Sequence, residues 1–141
     1  MTLVRDSFQK VLPIADAAAA LFYARLFDLD PKLESLFKGD IVEQGRKLMQ
    51  MIGVAVKGLD RLEQVLPAVE ALGVRHVGYG VRDKDYDTVG RALIWTLRKG
   101  LGDDFTREVE AAWVEVYSTL AGAMKAAAAA APRPESLVLA R

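Results

Sequence analysis

Apolar residues recur at helical spacing along nearly the whole 141-residue chain, and alternating runs bounded by tight-turn dipeptides are missing. That pattern restricts the chain to an all-α fold. Val4, Phe8 and Val11 mark one stripe, and Ala19, Phe22 and Leu26 mark another, with Pro13 a break between them. Asp30-Pro31 reads as an N-cap followed by a proline at the first helical position, opening a short helix through Leu36 and a turn near Lys38-Gly39. Asp40 with Glu43 has the form of a capping box, and starts a longer helix that carries Leu48, Ile52 and Val56 and stops near Gly58. A further stretch, around Leu66 to His76, sets Leu72 and His76 on one face and ends at Gly78 and Gly80. Val89, Leu93, Leu97 and Leu101 form the next stripe, closed by Gly100 and Gly102. The last helix begins at Thr106, holds Glu108 near its positive end, and turns Trp113, Val116 and Leu120 inward.

An alanine tract from Ala126 to Ala131 precedes PRPES. Alanine favours helix but offers little to pack, and proline ends regular structure, so residues 126–141 are expected to be a helix end and mobile tail appended to a domain over 1–125. Hydrophobic residues make up 52% of the chain, enough for one sizeable core. Nineteen Lys and Arg balance nineteen Asp and Glu, which leaves no electrostatic footprint for nucleic acid or an anionic membrane. The chain has no cysteine, which excludes a disulfide scaffold and a thiolate metal site. MTLVRDSFQK lacks the basic start and apolar run of a secretory signal, and no apolar stretch is long enough to span a bilayer, so a cytoplasmic protein is expected.

His76 is the only histidine. Alone on a partly apolar helix, a histidine is more often a structural residue that hydrogen-bonds locally than a metal ligand. Spacing changes that balance. In LFYARLFDLDPKLESLF a proline starts a short helix and Phe37 falls six positions after Pro31; EQGRKLMQ follows, and then LGVRHVGYGV. This arrangement resembles the globin family over about residues 2–125. FYARLF, GRKLM and RHVGYGV are most similar to neuroglobin and to single-domain bacterial globins related to the haem domain of flavohaemoglobins.

The resemblance implies a three-over-three helical sandwich of A, B, C, E, F, G and H helices, with the D helix short or absent. It implies haem b, held without covalent links because cysteine is lacking. Pro31 matches the C-helix proline, Phe37 the CD-corner phenylalanine that lies against the porphyrin, and His76 the proximal iron ligand. Tyr23 matches the B-helix position facing the gas ligand, Gln44 the distal E-helix site, Leu48 the residue packing over the ligand, and Lys47 the basic residue that reaches a haem propionate. Leu72, Val81, Tyr86 and Val89 line the proximal and inner sides of the pocket.

Each of these residues also has an ordinary reading. Tyr23 suits a helix interface, Phe37 core packing, Gln44 a solvated first turn, and Lys47 a solvated lysine. The implied function is reversible binding of oxygen, carbon monoxide and nitric oxide through a Tyr23 and Gln44 distal pair. Nitric oxide dioxygenation would need a separate reductase; a haem-based gas or redox sensor, or an electron-transfer partner, is the alternative. Flavohaemoglobins also carry a proximal network in which a G-helix tyrosine and an H-helix glutamate polarise the histidine. Tyr86 fits the first, whereas Ala128 falls where the glutamate would be, which argues against strong peroxidase-type activation. A backbone carbonyl near Leu72 is then the expected partner of the second ring nitrogen.

Overall fold

The computed structural model describes residues 2–37, 39–78 and 81–130, and every regular element among them is helical. Helix α1 (Thr2–Val11) gives way at Pro13 to a 3-10 turn, Leu12–Ile14, and the chain re-enters helix as α2 (Ala15–Leu29). The Asp30 carboxylate accepts the Lys32 amide at 3.1 Å and caps a 3-10 helix, Pro31–Leu36. Asp40 caps α3 (Ile41–Lys57) by accepting the Val42 amide at 2.9 Å. The box expected there has a different second half, since the Glu43 carboxylate faces Lys47 one turn on at 4.0 Å.

Helix α4 runs Leu62–Gly78, four residues earlier at its start than the apolar pattern indicates, and it contains Pro67. The 3-10 turn Leu59–Arg61 leads directly into it, which extends the helix upstream of the apolar stripe. Helix α5 (Asp83–Leu101) includes Gly100, and the true stop is Gly102, whose φ of 56° is a conformation glycine adopts without a Cβ penalty. Helix α6 (Arg107–Ala130) starts where Thr106 Oγ1 accepts the Val109 amide at 3.2 Å, and alanines 126–130 belong to it. The expected stop at Gly80, the Lys38 half of the turn and the PRPES segment lie outside the described residues.

Two apolar clusters hold these helices. One joins Val4, Phe8 and Val11 of α1 to Val56, Leu97, Trp113 and Val116. Trp113 is almost fully buried, and its indole N–H donates to Ser7 Oγ at 2.8 Å, so the polar edge of the ring is satisfied inside the core. Leu120, expected to turn inward, is only partly buried at the margin of this cluster. The second cluster centres on Phe22, Tyr23, Leu26, Leu33 and Ala92, with Phe37, Leu48 and Val89 packed against it.

The main packing partners are α2 with α3 and α5, and α4 with α6. By contrast α3 and α4, consecutive along the chain, share no broad contact among the described residues. The α4–α6 crossing is very close at Gly73, where a Cβ would stand 2.5 Å from the Met124 carbonyl oxygen and 2.8 Å from its Cα.

The Gly73→Ala substitution therefore sets two effects against each other. Helix propensity favours alanine by about 1 kcal/mol, while forcing backbone apart in a packed crossing costs about 1–3 kcal/mol. We expect net destabilisation of up to about 2 kcal/mol, read as a lower urea midpoint at unchanged m-value. A stabilised variant would mean that the crossing is looser than described.

Candidate functional site

The sequence-derived site residues fall into two groups, one where α2 and α3 meet and one at the end of α4, and α5 borders both. The first group is aromatic and apolar. Tyr23 on α2 is buried, with Phe22 edge-on at a ring separation of 5.2 Å, Phe37 edge-on at 5.2 Å and Phe27 stacked at 6.0 Å. Leu48 from α3 and Val89 from α5 pack against the same cluster. This approach of α3 to α2 requires Gly45, because a Cβ there would meet Ala19 Cβ at 2.8 Å and Tyr23 Cε2 at 3.6 Å. Gln44, the residue before it, is thereby brought half-buried to the Tyr23 end of α3. Lys47 points outward, its side chain 70% exposed beside Glu43.

The second group surrounds His76 near the end of α4. Its Nδ1 lies 2.8 Å from the Leu72 carbonyl oxygen. A carbonyl only accepts, so Nδ1 carries the proton and Nε2 is the basic nitrogen. Burial holds the ring below the ordinary imidazole range; the Leu72 carbonyl partly offsets that and the neighbouring Arg75 adds to it. The imidazole is therefore neutral at neutral pH, the form that ligates a metal. Val81 closes the end of the helix, its amide donating to the His76 carbonyl at 3.0 Å. The Tyr86 ring from α5 stacks on the imidazole at 6.3 Å and 25°. Tyr86 and Val89 stand one turn apart on α5, which links the two groups.

Several supporting residues were not evident from the sequence. Asp85, only 2% exposed, accepts the Arg82 amide at 2.8 Å and its guanidinium at 3.1 Å, anchoring the first turn of α5 beside Tyr86. Tyr117 on α6 donates its hydroxyl to the Tyr86 carbonyl at 2.7 Å. It lies across Gly90, where a Cβ would come within 2.8 Å of its ring. Ala128 is a half-buried alanine on α6, and from the same helix Lys125 reaches Tyr86, its ammonium 5.7 Å from the ring centre and 3.7 Å from Asp87. These contacts join residues far apart in sequence, and only the Asp85 N3 position had a local signal.

One imidazole does not by itself cage a metal ion, and no cluster of three His, Asp or Glu side chains stands among the described residues. A metal that arrives with its own planar ligand set, between an imidazole on one side and a buried aromatic cluster on the other, fits this donor arrangement. The globin family model matches residues 20–124. The chain belongs to the globin family.

Among curated relatives, this globin is 31% identical to neuroglobin of Danio rerio, the alignment covering 86% of each chain. It is also 31% identical to the flavohemoprotein of Vibrio cholerae over 80% of this chain, but spans only 30% of that longer protein. Among solved structures it is similar to an engineered carbene transferase of Rhodothermus marinus, named as a nitric oxide dioxygenase, at a TM-score of 0.83 and 26% identity, covering 99% of this chain and 95% of that one. The all-α globin fold is thus established, and globins bind haem and diatomic gases. In globin terms α1 to α6 are the A, B, E, F, G and H helices, the 3-10 segment Pro31–Leu36 is the C helix, and no D helix is formed by the described residues between Leu36 and Ile41. No helix among the described residues is long and apolar enough to cross a membrane.

Burial pushes the Tyr23 phenol from 10.0 up to about 12. In the unfolded chain the same phenol ionises near 10, so through that window the unfolded state loses a proton that the globin retains, and stability falls as pH rises. Tyr23→Phe removes this titration. Its unfolding free energy, measured by urea at successive pH values from about 9.5 to 11.5, should decline less steeply than that of the wild type; equal slopes would show the phenol to be solvated.

Proposed function

We propose that this globin holds haem b on His76 and binds oxygen, carbon monoxide and nitric oxide reversibly, with Tyr23 and Gln44 as the polar pair facing the ligand. The single observation that carries the reading is the neutral His76 ring, fixed by Leu72 in the tautomer with a basic Nε2 and stacked on Tyr86 of α5, the helix whose Val89 packs on the buried Tyr23 cluster. When bound, haem supplies an iron with one coordination position open to a diatomic gas.

The remaining work is done by the chain. His76 provides the one protein ligand, and its bond to the Leu72 carbonyl holds the ring in orientation. Tyr23 keeps its proton throughout the physiological range and so acts as a donor. The Tyr23 hydroxyl and the Gln44 carboxamide could both donate to negative charge on a diatomic gas held by the haem. Phe37, Leu48 and Val89 exclude water from the same space, which strengthens those bonds. Tyr86, Leu72 and Val81 form the proximal surround. Lys47, on the outer face of α3, serves a haem propionate at the rim.

The same pair suits nitric oxide dioxygenation, in which one molecule of oxygen and one of nitric oxide become nitrate and each turnover draws one electron from a separate reductase. Similarity to the flavohemoprotein and to the Rhodothermus marinus protein supports this extension.

Protein produced with a haem supply should show a Soret band that shifts with carbon monoxide, and His76→Ala should lose haem affinity. Undiminished affinity in that variant would end the proposal. Removing one charge-assisted hydrogen bond costs roughly 1.5–3 kcal/mol, or about one to two decades in rate. Tyr23→Phe should therefore release oxygen about 10- to 100-fold faster in stopped flow; unchanged release would exclude Tyr23 from the ligand contact. Nitric oxide consumption with a reductase must exceed that of free haem for the dioxygenase extension to stand.

A further inference from the structure

On another face of α5, α2, α5 and α6 bound an open groove of about 820 Å3. Its surface is aliphatic at Leu29, Ile94 and Val114. Leu29 and Val114 are 36% and 45% exposed, so large apolar side chains meet solvent there. Around them stand Arg25, Arg91, Arg98 and Lys125, with Asp87 the one acid in the lining. In a chain whose positive and negative charges balance overall, this is a local concentration of cations.

The cations are not equivalent. Lys125 pairs with Asp87 at 3.7 Å, Arg98 with Glu110, and Arg25 with Asp28 at 3.3 Å. Arg91 has no ion-pair or hydrogen-bond partner among the described residues, although it stands between the Lys125–Asp87 pair and the stack of Arg25 on Trp95, one turn to each side. Trp95 is not a vacant stacking platform, because Arg25 lies 5.2 Å and Lys99 5.7 Å from its ring centre. The accessible apolar surface is therefore aliphatic.

We infer that this groove binds a small amphipathic carboxylate, with its head on Arg91 and its aliphatic body over Leu29, Ile94 and Val114. A single acidic head satisfies the one unpaired guanidinium bidentately. An aliphatic tail removes the exposed leucine and valine from water.

The test is calorimetric titration of dodecanoate, below its micellar range, into the haem-loaded, carbon monoxide-ligated globin, so that the haem site is filled. Saturable one-to-one binding is expected, weakening with salt, with dodecanol at least about tenfold weaker because it lacks the charge. Arg91→Ala should weaken dodecanoate by about tenfold or more at an unchanged unfolding midpoint, since that side chain is exposed and unpartnered. Val114→Asp, also at an exposed position, should abolish binding by placing a like charge on the tail path. The inference is overturned by absence of saturable binding, or by affinity unchanged in both variants. It is equally overturned if sedimentation shows a dimer that Val114→Asp dissociates, since the groove would then belong to a second copy of the chain.

Discussion

The placement of His76 depends on one close contact, the crossing of α4 over α6 at Gly73. Among the described residues α4 packs broadly on α6 and on no other long helix, so this contact chiefly fixes where its histidine stands. Glycine at position 73 lets the two backbones meet with Met124 directly opposite, and any side chain there would lift α4 away. The same helix, α6, reaches α5 through Tyr117, whose hydroxyl holds the Tyr86 carbonyl and whose ring fills the space over Gly90. The histidine and the tyrosine stacked on it are therefore referred to one common scaffold, although they belong to different helices.

The opposite wall is built by the same device on other elements. Gly45 against Ala19 draws α3 onto α2, and the aromatic group of Tyr23, Phe27 and Phe37 fills the angle between them. Burial acts on both walls with opposite electrostatic consequences. It keeps the Tyr23 phenol protonated and so available as a donor, and it keeps the His76 imidazole unprotonated and so available as a base. Burial, the largest influence on both groups, thus leaves a donor on one wall and a lone pair on the other, with Arg75 adding to it at His76.

Much of the fold could be read from the sequence because the helices are amphipathic and their starts are marked locally. Asp30-Pro31, Asp40 and Thr106 each cap the helix that their spacing announces. The start of α4 was missed because its first turn carries few core residues and Pro67 suggests a boundary where the helix in fact continues. For the candidate site, one histidine and the interval from Pro31 to Phe37 point to the end of α4 and to the Tyr23 cluster, since both lie on caps and stripes with local signals. Tyr117, Gly73, Gly90 and Lys125 carry no such signal. Their significance arises only when α6 is laid against α4 and α5, a relation set by helix crossing and not by neighbours in the chain.

That crossing also determines what sort of charge stands behind His76. A carboxylate acting through a tyrosine would push electron density toward the imidazole and strengthen it as a donor. Here the α6 position aligned with such a carboxylate is Ala128, and one turn earlier the Lys125 ammonium faces the Tyr86 ring. A cation over the π face draws density away from the tyrosine, and Asp87 compensates it only from an exposed position. What remains to orient His76 is the neutral Leu72 carbonyl, a weaker polarising partner than a carboxylate. In the proposed function, an imidazole so held would be a moderate donor, suited to taking up and releasing a gas ligand more than to the strong electron push that cleaves an O–O bond.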